Sequence, residues 1–151
     1  MSSIWKNQVH LERHYAGIPA IECDPDRLNQ VWSNLLVNAY HAVRGRSDPT
    51  IVLATEAAGD RVCVRIRDNG PGIPETIRER VWDPFFTTKE QGEGTGLGLS
   101  IVRRIVEEHG GTIGFITDDS GTEFVVELPL EGKNRTQIAR NAPGPGRYDW
   151  R

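Results

Sequence analysis

No run of apolar residues in this sequence approaches the length needed to cross a bilayer, which excludes a helical membrane span in the stretch given. The opening residues, Met1-Ser2-Ser3-Ile4-Trp5-Lys6, lack the apolar segment of a secretory signal. Cysteine is scarce. Cys23 and Cys63 stand far apart and match no metal-binding or redox spacing. Both lie in apolar stretches, which fits small buried hydrophobes in a reducing cytoplasm. An excess of positive charge is missing as well: at a net −3, bulk charge gives no case for nucleic-acid binding.

What is present is the composition of one well-solvated domain. With 151 residues, 37% apolar and 26% charged, the chain can build a single core and is too apolar to stay disordered. The charge is unevenly spread. Residues 131–151 carry Lys133, Arg135, Arg140, Arg147 and Arg151 against Glu131 and Asp149, a net +3 that leaves −6 for the remainder. We therefore expect a domain over 1–130 and a basic, Pro/Gly-bearing tail over 131–151, read as a flexible, solvated end.

Periodicity places the elements. Gln8–Tyr15 reads as an exposed strand, turned by Gly17-Ile18-Pro19 into a short strand at Ala20–Cys23. Asp24-Pro25 is a helix start, a capping carboxylate followed by proline at the first helical position. Leu28, Val31, Trp32, Leu35, Leu36, Ala39 and Val43 then recur at three- and four-residue steps, one apolar face of a helix ending near Val43. Strands are predicted over Thr50–Glu56 and Arg61–Arg67, a short helix over Pro74–Val81, and a strong helix over Leu97–His109. Two last strands, Thr112–Thr117 and Thr122–Leu128, flank the turn Asp118-Asp119-Ser120-Gly121. The order predicts an α+β fold: a two-layer sandwich, its mixed and mostly antiparallel sheet of about five strands carrying three helices on one face.

Three features carry chemistry. Asn34, Asn38 and His41 are four and three residues apart and so share a helix face distinct from the apolar stripe. Solvated asparagines would show the same spacing. Asp68-Asn69-Gly70-Pro71-Gly72 follows a strand directly, placing a carboxylate that can accept from an exocyclic amine beside glycines that let backbone approach a ligand. The same residues also make ordinary turns. Gly92-Glu93-Gly94-Thr95-Gly96-Leu97-Gly98-Leu99 opens the second long helix, where successive amides and the dipole favour phosphate and four glycines suggest a mobile lid. No Gly-Lys-Ser/Thr follows, so this is not a Walker loop, and no strand immediately precedes it, so it is not a dinucleotide fingerprint.

Taken together these strings resemble the nucleotide-binding boxes of the GHKL superfamily (the Bergerat fold), and within it the sensor histidine kinases of two-component systems. Asn34-Leu35-Leu36-Val37-Asn38-Ala39 resembles the asparagine box and Asp68-Asn69-Gly70-Pro71-Gly72-Ile73 the first glycine box. Asp83-Pro84-Phe85-Phe86-Thr87-Thr88-Lys89 resembles the phenylalanine box, Gly94-Thr95-Gly96-Leu97-Gly98-Leu99 the second glycine box, and Gly121-Thr122-Glu123-Phe124 the last. The motifs occur in the family's order and cover roughly residues 20–129.

The resemblance implies ATP and Mg²⁺ as cofactors. Asp68 would accept the adenine amino group with Thr122 in support. Gly70, Gly72, Ile73, Gly94, Thr95, Gly96, Leu97, Gly98 and Leu99 would border the nucleotide. Asn38 would ligate Mg²⁺ through its side-chain oxygen, and Asn34 would face the phosphates or the metal's water shell, the two forming the catalytic pair. His41 stands where many relatives carry lysine or arginine near the phosphates; a plain polar helix residue is the alternative. Thr87, Thr88 and Lys89 would border the lid, Lys89 toward the terminal phosphate, and Phe85 and Phe86 would pack to set the lid's position.

The implied activity is that of a protein histidine kinase catalytic domain, donating the γ-phosphate of Mg-ATP to a histidine on a separate dimerisation hairpin. A response regulator would act downstream. Neither nucleic acid nor direct membrane contact is implied, and the location is cytoplasmic whether or not the parent protein is membrane-anchored. Gyrase- and Hsp90-like relatives carry a glutamate at position 34 as general base; an amide cannot take a proton, so Asn34 opposes that branch. His10 and His14 lie on a predicted strand and His109 at a helix end favourable to a cation, and none matches the family's phosphoacceptor context. A nucleotide-binding module that transfers nothing is the alternative from another class.

Overall fold

The computed structural model describes residues 9–86, 98–131 and 146–148. Helix α1 spans Pro25–Val43 and starts as the sequence requires: the Asp24 side chain accepts from the N–H groups of Asp26 (3.2 Å) and Arg27 (3.3 Å), with proline at the first position. Leu28, Val31, Trp32, Leu35, Ala39 and Val43 are its buried stripe. Gly45, at φ +88°, turns the chain out of the helix.

The main sheet contains β1 (His10–Tyr15), β3 (Thr50–Ala58), β4 (Arg61–Asp68), β5 (Thr112–Asp118) and β6 (Gly121–Pro129), in the order β1-β3-β4-β6-β5. β1 runs parallel to β3 and every other pairing is antiparallel, the expected mixed sheet. One inner row reads Leu53, Ile66, Phe124 and Phe115 across four strands. It packs beneath α1 and the second helix, α2 (Gly98–Glu108), whose buried residues are Val102, Ile105 and Val106. The opposite face carries ion pairs instead, with Arg65 reaching Glu56 at 3.2 Å and Glu123 at 3.6 Å. These are partly exposed pairs of small energetic weight. Cys23 and Cys63 are buried free thiols, as expected.

Three elements differ from the sequence reading. The predicted helix over Pro74–Val81 is a single 3₁₀ turn at Glu75–Ile77 followed by turns, so two α-helices cover the sheet rather than three. Pro74 offers no side-chain cap, and a segment this short cannot offset helix nucleation without an apolar stripe to bury. The short strand β2 (Ile21–Cys23) stays outside the main sheet. It pairs antiparallel with β7 (Gly146–Tyr148), three residues of the basic tail.

Candidate functional site

Asp68 is the last residue of β4 and only 5% exposed. It sits between Ile51 of β3 and Thr122 of β6 in register. The Gly70 N–H donates to its Oδ1 at 2.9 Å. Burial pushes the carboxyl above its usual range, while the N–H groups of Gly70 and Thr122 and the guanidinium groups of Arg46 and Arg67 act in the opposite sense. A buried acceptor held this way at a strand end is ready for a donor from a ligand.

The loop after Asp68 is fixed on both sides. Asn69 accepts the Thr50 N–H at 2.9 Å, donates to the Asp48 carbonyl at 2.7 Å, and receives Arg46 Nε on its own carbonyl at 3.0 Å. A Cβ on Gly70 would lie 2.7 Å from the Ala42 carbonyl, so only glycine lets the loop press against α1. Gly121, at φ +142°, leaves no room either: a Cβ there would meet the Asp68 carbonyl at 1.9 Å. Gly72 and Ile73 follow, half-buried, and the Ile73 N–H donates to Thr117 Oγ1 at 2.9 Å.

On α1, Asn34, Asn38 and His41 are all half-buried, unlike freely solvated surface amides. Asn34 Nδ2 lies 3.5 Å from the carbonyl of Gly98, the first residue of α2. His41 packs its ring against Tyr40, centroids 5.9 Å apart. Leu99 is half-buried against the core. The Asp68 loop thus meets α1 at Ala42 and the start of α2 meets it at Asn34, bracketing the polar face between them. Thr87, Thr88, Lys89, Gly94, Thr95, Gly96 and Leu97 lie outside the described residues.

Two expectations need correction. Phe86 is half-buried and stacks with Arg80 at 4.6 Å, but Phe85 is 74% exposed, with φ +67°, rather than packed. The aromatic that packs under this segment is Trp82, against Phe115 (5.9 Å) and edge-on to Phe124 (6.2 Å). His109 is not an exposed helix-end cation. It is 4% exposed; Nδ1 lies 2.8 Å from the Ile105 carbonyl, which can only accept, and Nε2 takes the Asp24 N–H at 3.1 Å. In that pairing Nδ1 donates and Nε2 accepts.

Sequence reasoning missed Thr117, whose Oγ1 is 2.9 Å from Thr122 Oγ1. The signal was available, because the predicted turn at Asp118–Gly121 sets residues 117 and 122 opposite each other.

Comparison with known proteins agrees with this architecture. Residues 23–132 match the family described as histidine kinase-, DNA gyrase B- and HSP90-like ATPase. The sensor histidine kinase ZraS of Salmonella typhi is 44% identical over 111 residues, 73% of this chain and 23% of that protein. The sensory histidine kinase/phosphatase NtrB of Rhizobium leguminosarum bv. phaseoli is 35% identical over 149 residues, covering 89% of this chain and 38% of that one. The chain thus spans well under half the length of these curated relatives. The nucleotide-free catalytic domain of histidine kinase ThkA superposes with a TM-score of 0.73 at 36% identity, over 83% of this chain and 81% of that one. The chain belongs to the histidine kinase-, DNA gyrase B- and HSP90-like ATPase family and is an ATP-binding catalytic domain of the sensor histidine kinase kind.

Proposed function

We propose that this domain binds Mg-ATP along the polar face of α1 and donates the γ-phosphate to a histidine on a separate dimerisation hairpin of its parent protein, in the cytoplasm. The observation that carries the reading is the bracket itself: buried Asp68 beside Thr122 at one end, and Asn34 against the start of α2 at the other. Asp68 accepts from the amino group of adenine. Guanine would turn a carbonyl toward it and leave two acceptors facing each other. Asn38, half-buried four residues after Asn34, supplies a hard oxygen of the kind Mg²⁺ takes, which fits the metal; when bound, Mg²⁺ neutralises charge developing on the phosphates. His41 fits the phosphate end of the same face, and Lys89 fits the terminal phosphate by the motif it belongs to. A response regulator receives the phosphoryl group from the hairpin.

Asn34 spends its amide on the Gly98 carbonyl and cannot act as a base, so the domain positions phosphate and leaves activation of the nucleophile to the acceptor histidine and its neighbours. Radiolabelled ATP incubated with this chain alone should give no labelled protein and only a trace of phosphate. Adding a dimeric hairpin domain from a relative should give acid-labile label on the hairpin. Rapid phosphate release without labelling would favour the ATPase branch. Binding without transfer would favour a module that only senses nucleotide.

A further inference from the structure

Asn69 directly follows the carboxylate Asp68, yet its side chain bonds away from the turn it opens. An asparagine in an ordinary turn bonds its own backbone, two residues on. Asn69 instead reaches 19 and 21 residues back along the chain, to the segment that leads from α1 into β3. Its Oδ1 accepts the Thr50 N–H at 2.9 Å, and its Nδ2 donates to the Asp48 carbonyl at 2.7 Å. The main chain is gripped as well. The Asn69 N–H donates to the Thr50 carbonyl at 3.2 Å, and the Asn69 carbonyl accepts from Arg46 Nε at 3.0 Å. The amide thus continues the β3–β4 ladder one step past the Ile51–Asp68 pair, where a backbone turning away could not.

The consequence reaches Asp68 through Gly70. Gly70 is buried between two fixed neighbours: Asn69, held by residues 46–50, and Ala42 of α1, whose carbonyl would lie 2.7 Å from an added Cβ. From that place the Gly70 N–H donates to Asp68 Oδ1 at 2.9 Å. Gly70 therefore sets the direction of the carboxylate, and Asn69 sets the place of Gly70. We propose that Asn69 is a positioning residue for base recognition, aiming Asp68 by locking the chain behind it onto the segment between α1 and β3. The proposal rests on the nucleotide reading above and deepens it. Asn69 has its own side-chain groups engaged with Thr50 and Asp48, so it acts through Asp68 rather than on the base. With the amide removed, the carboxylate remains but the loop must be ordered before it can accept from a ligand, and that ordering opposes binding.

The test is calorimetry on the whole chain in Mg²⁺, comparing ATP with purine riboside triphosphate, which is ATP without the amino group. The wild type should prefer ATP. Asn69→Ala should weaken ATP by roughly three- to tenfold, the worth of one directed hydrogen bond, and leave the affinity for the amino-free nucleotide unchanged. A merely structural role would weaken both alike. Asn69→Ser, whose hydroxyl is too short to reach both Thr50 and Asp48, takes the place of the alanine variant should that fail to fold, with the same expectation. An equal loss for both nucleotides, no loss for either, or a wild type that binds the two alike would each overturn the proposal. A wild-type chain that binds neither would instead defeat the nucleotide reading itself, a distinct result.

Discussion

At one end of the antiparallel pair α1–α2, Asp24 and Arg27 meet Glu108 and His109; at the other, Asn34 reaches Gly98. The first end is closed. The Asp24 N–H donates to His109, whose other nitrogen is held by Ile105, Arg27 pairs with Glu108, and Leu28, Val31, Ile105 and Val106 fill the space beneath. At the second end the Asn34–Gly98 bond between the helices is long, at 3.5 Å, near the outer limit of useful geometry. Its polar side chains, Asn34, Asn38 and His41, are half-buried rather than sealed. The contrast teaches how one helix serves two purposes. Its first turns fix the frame, and its later turns hold amides for a ligand on a rigid element.

The comparison breaks most sharply at the ligand end. Asn38→Ala removes the proposed metal ligand while its neighbour Ala39 keeps the core intact, so Mg-ATP affinity should fall by about a hundredfold or more, roughly 3 kcal/mol, with the chain still unfolding cooperatively in urea. Calorimetry with and without Mg²⁺ reads the first quantity. Near wild-type affinity in the presence of Mg²⁺ would take Asn38 out of that role.

The closed end should answer in the opposite way. His109→Ala leaves the buried Asp24 N–H without its acceptor and opens space beside Val106, so unfolding should become easier by about 2 kcal/mol. ATP preference over GTP in the folded fraction should not move. A variant as stable as the wild type would mean that water replaces the ring. Loss of base preference would mean that the two ends are tightly coupled through the helix pair.

Much of this was legible in the sequence, and the failures have physical causes. The spacing from Leu28 to Val43 and the Asp24-Pro25 start located α1 because its stripe and cap are local features. Asp68 was legible as a strand-end carboxylate, but its burial and its Thr122 neighbour depend on the β4–β6 pairing, a contact more than fifty residues apart in the chain. His109 misled for the same reason: at a helix end the local rule favours a cation, and only the arrival of Asp24 from α1 makes it a buried acceptor. The 74–81 segment has helix-forming residues and fails on tertiary grounds. Phe85 belongs to a motif read as packing, yet stands exposed at positive φ.

The smallest expected effect concerns Asp68, where stability and binding should part company. Burial holds its carboxyl above the usual value, so near that range the folded chain keeps a proton the unfolded chain has released. The sign is the reverse of the ordinary ion-paired carboxylate. The contribution is most favourable below the unfolded value, is lost as pH rises through the folded value, and leaves ionised Asp68 a standing cost at neutral pH. Asp68→Asn keeps an oxygen for the Gly70 and Thr122 N–H groups and removes the titration. The nucleotide-free variant should therefore be as stable as the wild type at pH 7 or slightly more so, within about 1 kcal/mol, while its ATP preference over GTP drops by roughly tenfold. Thermal melts from pH 3 to 8 check the first part, with the variant gaining on the wild type as pH rises. A variant that is less stable at pH 7 yet equal at pH 3 would show that the carboxylate supports the fold, and that its burial was not kept for the ligand.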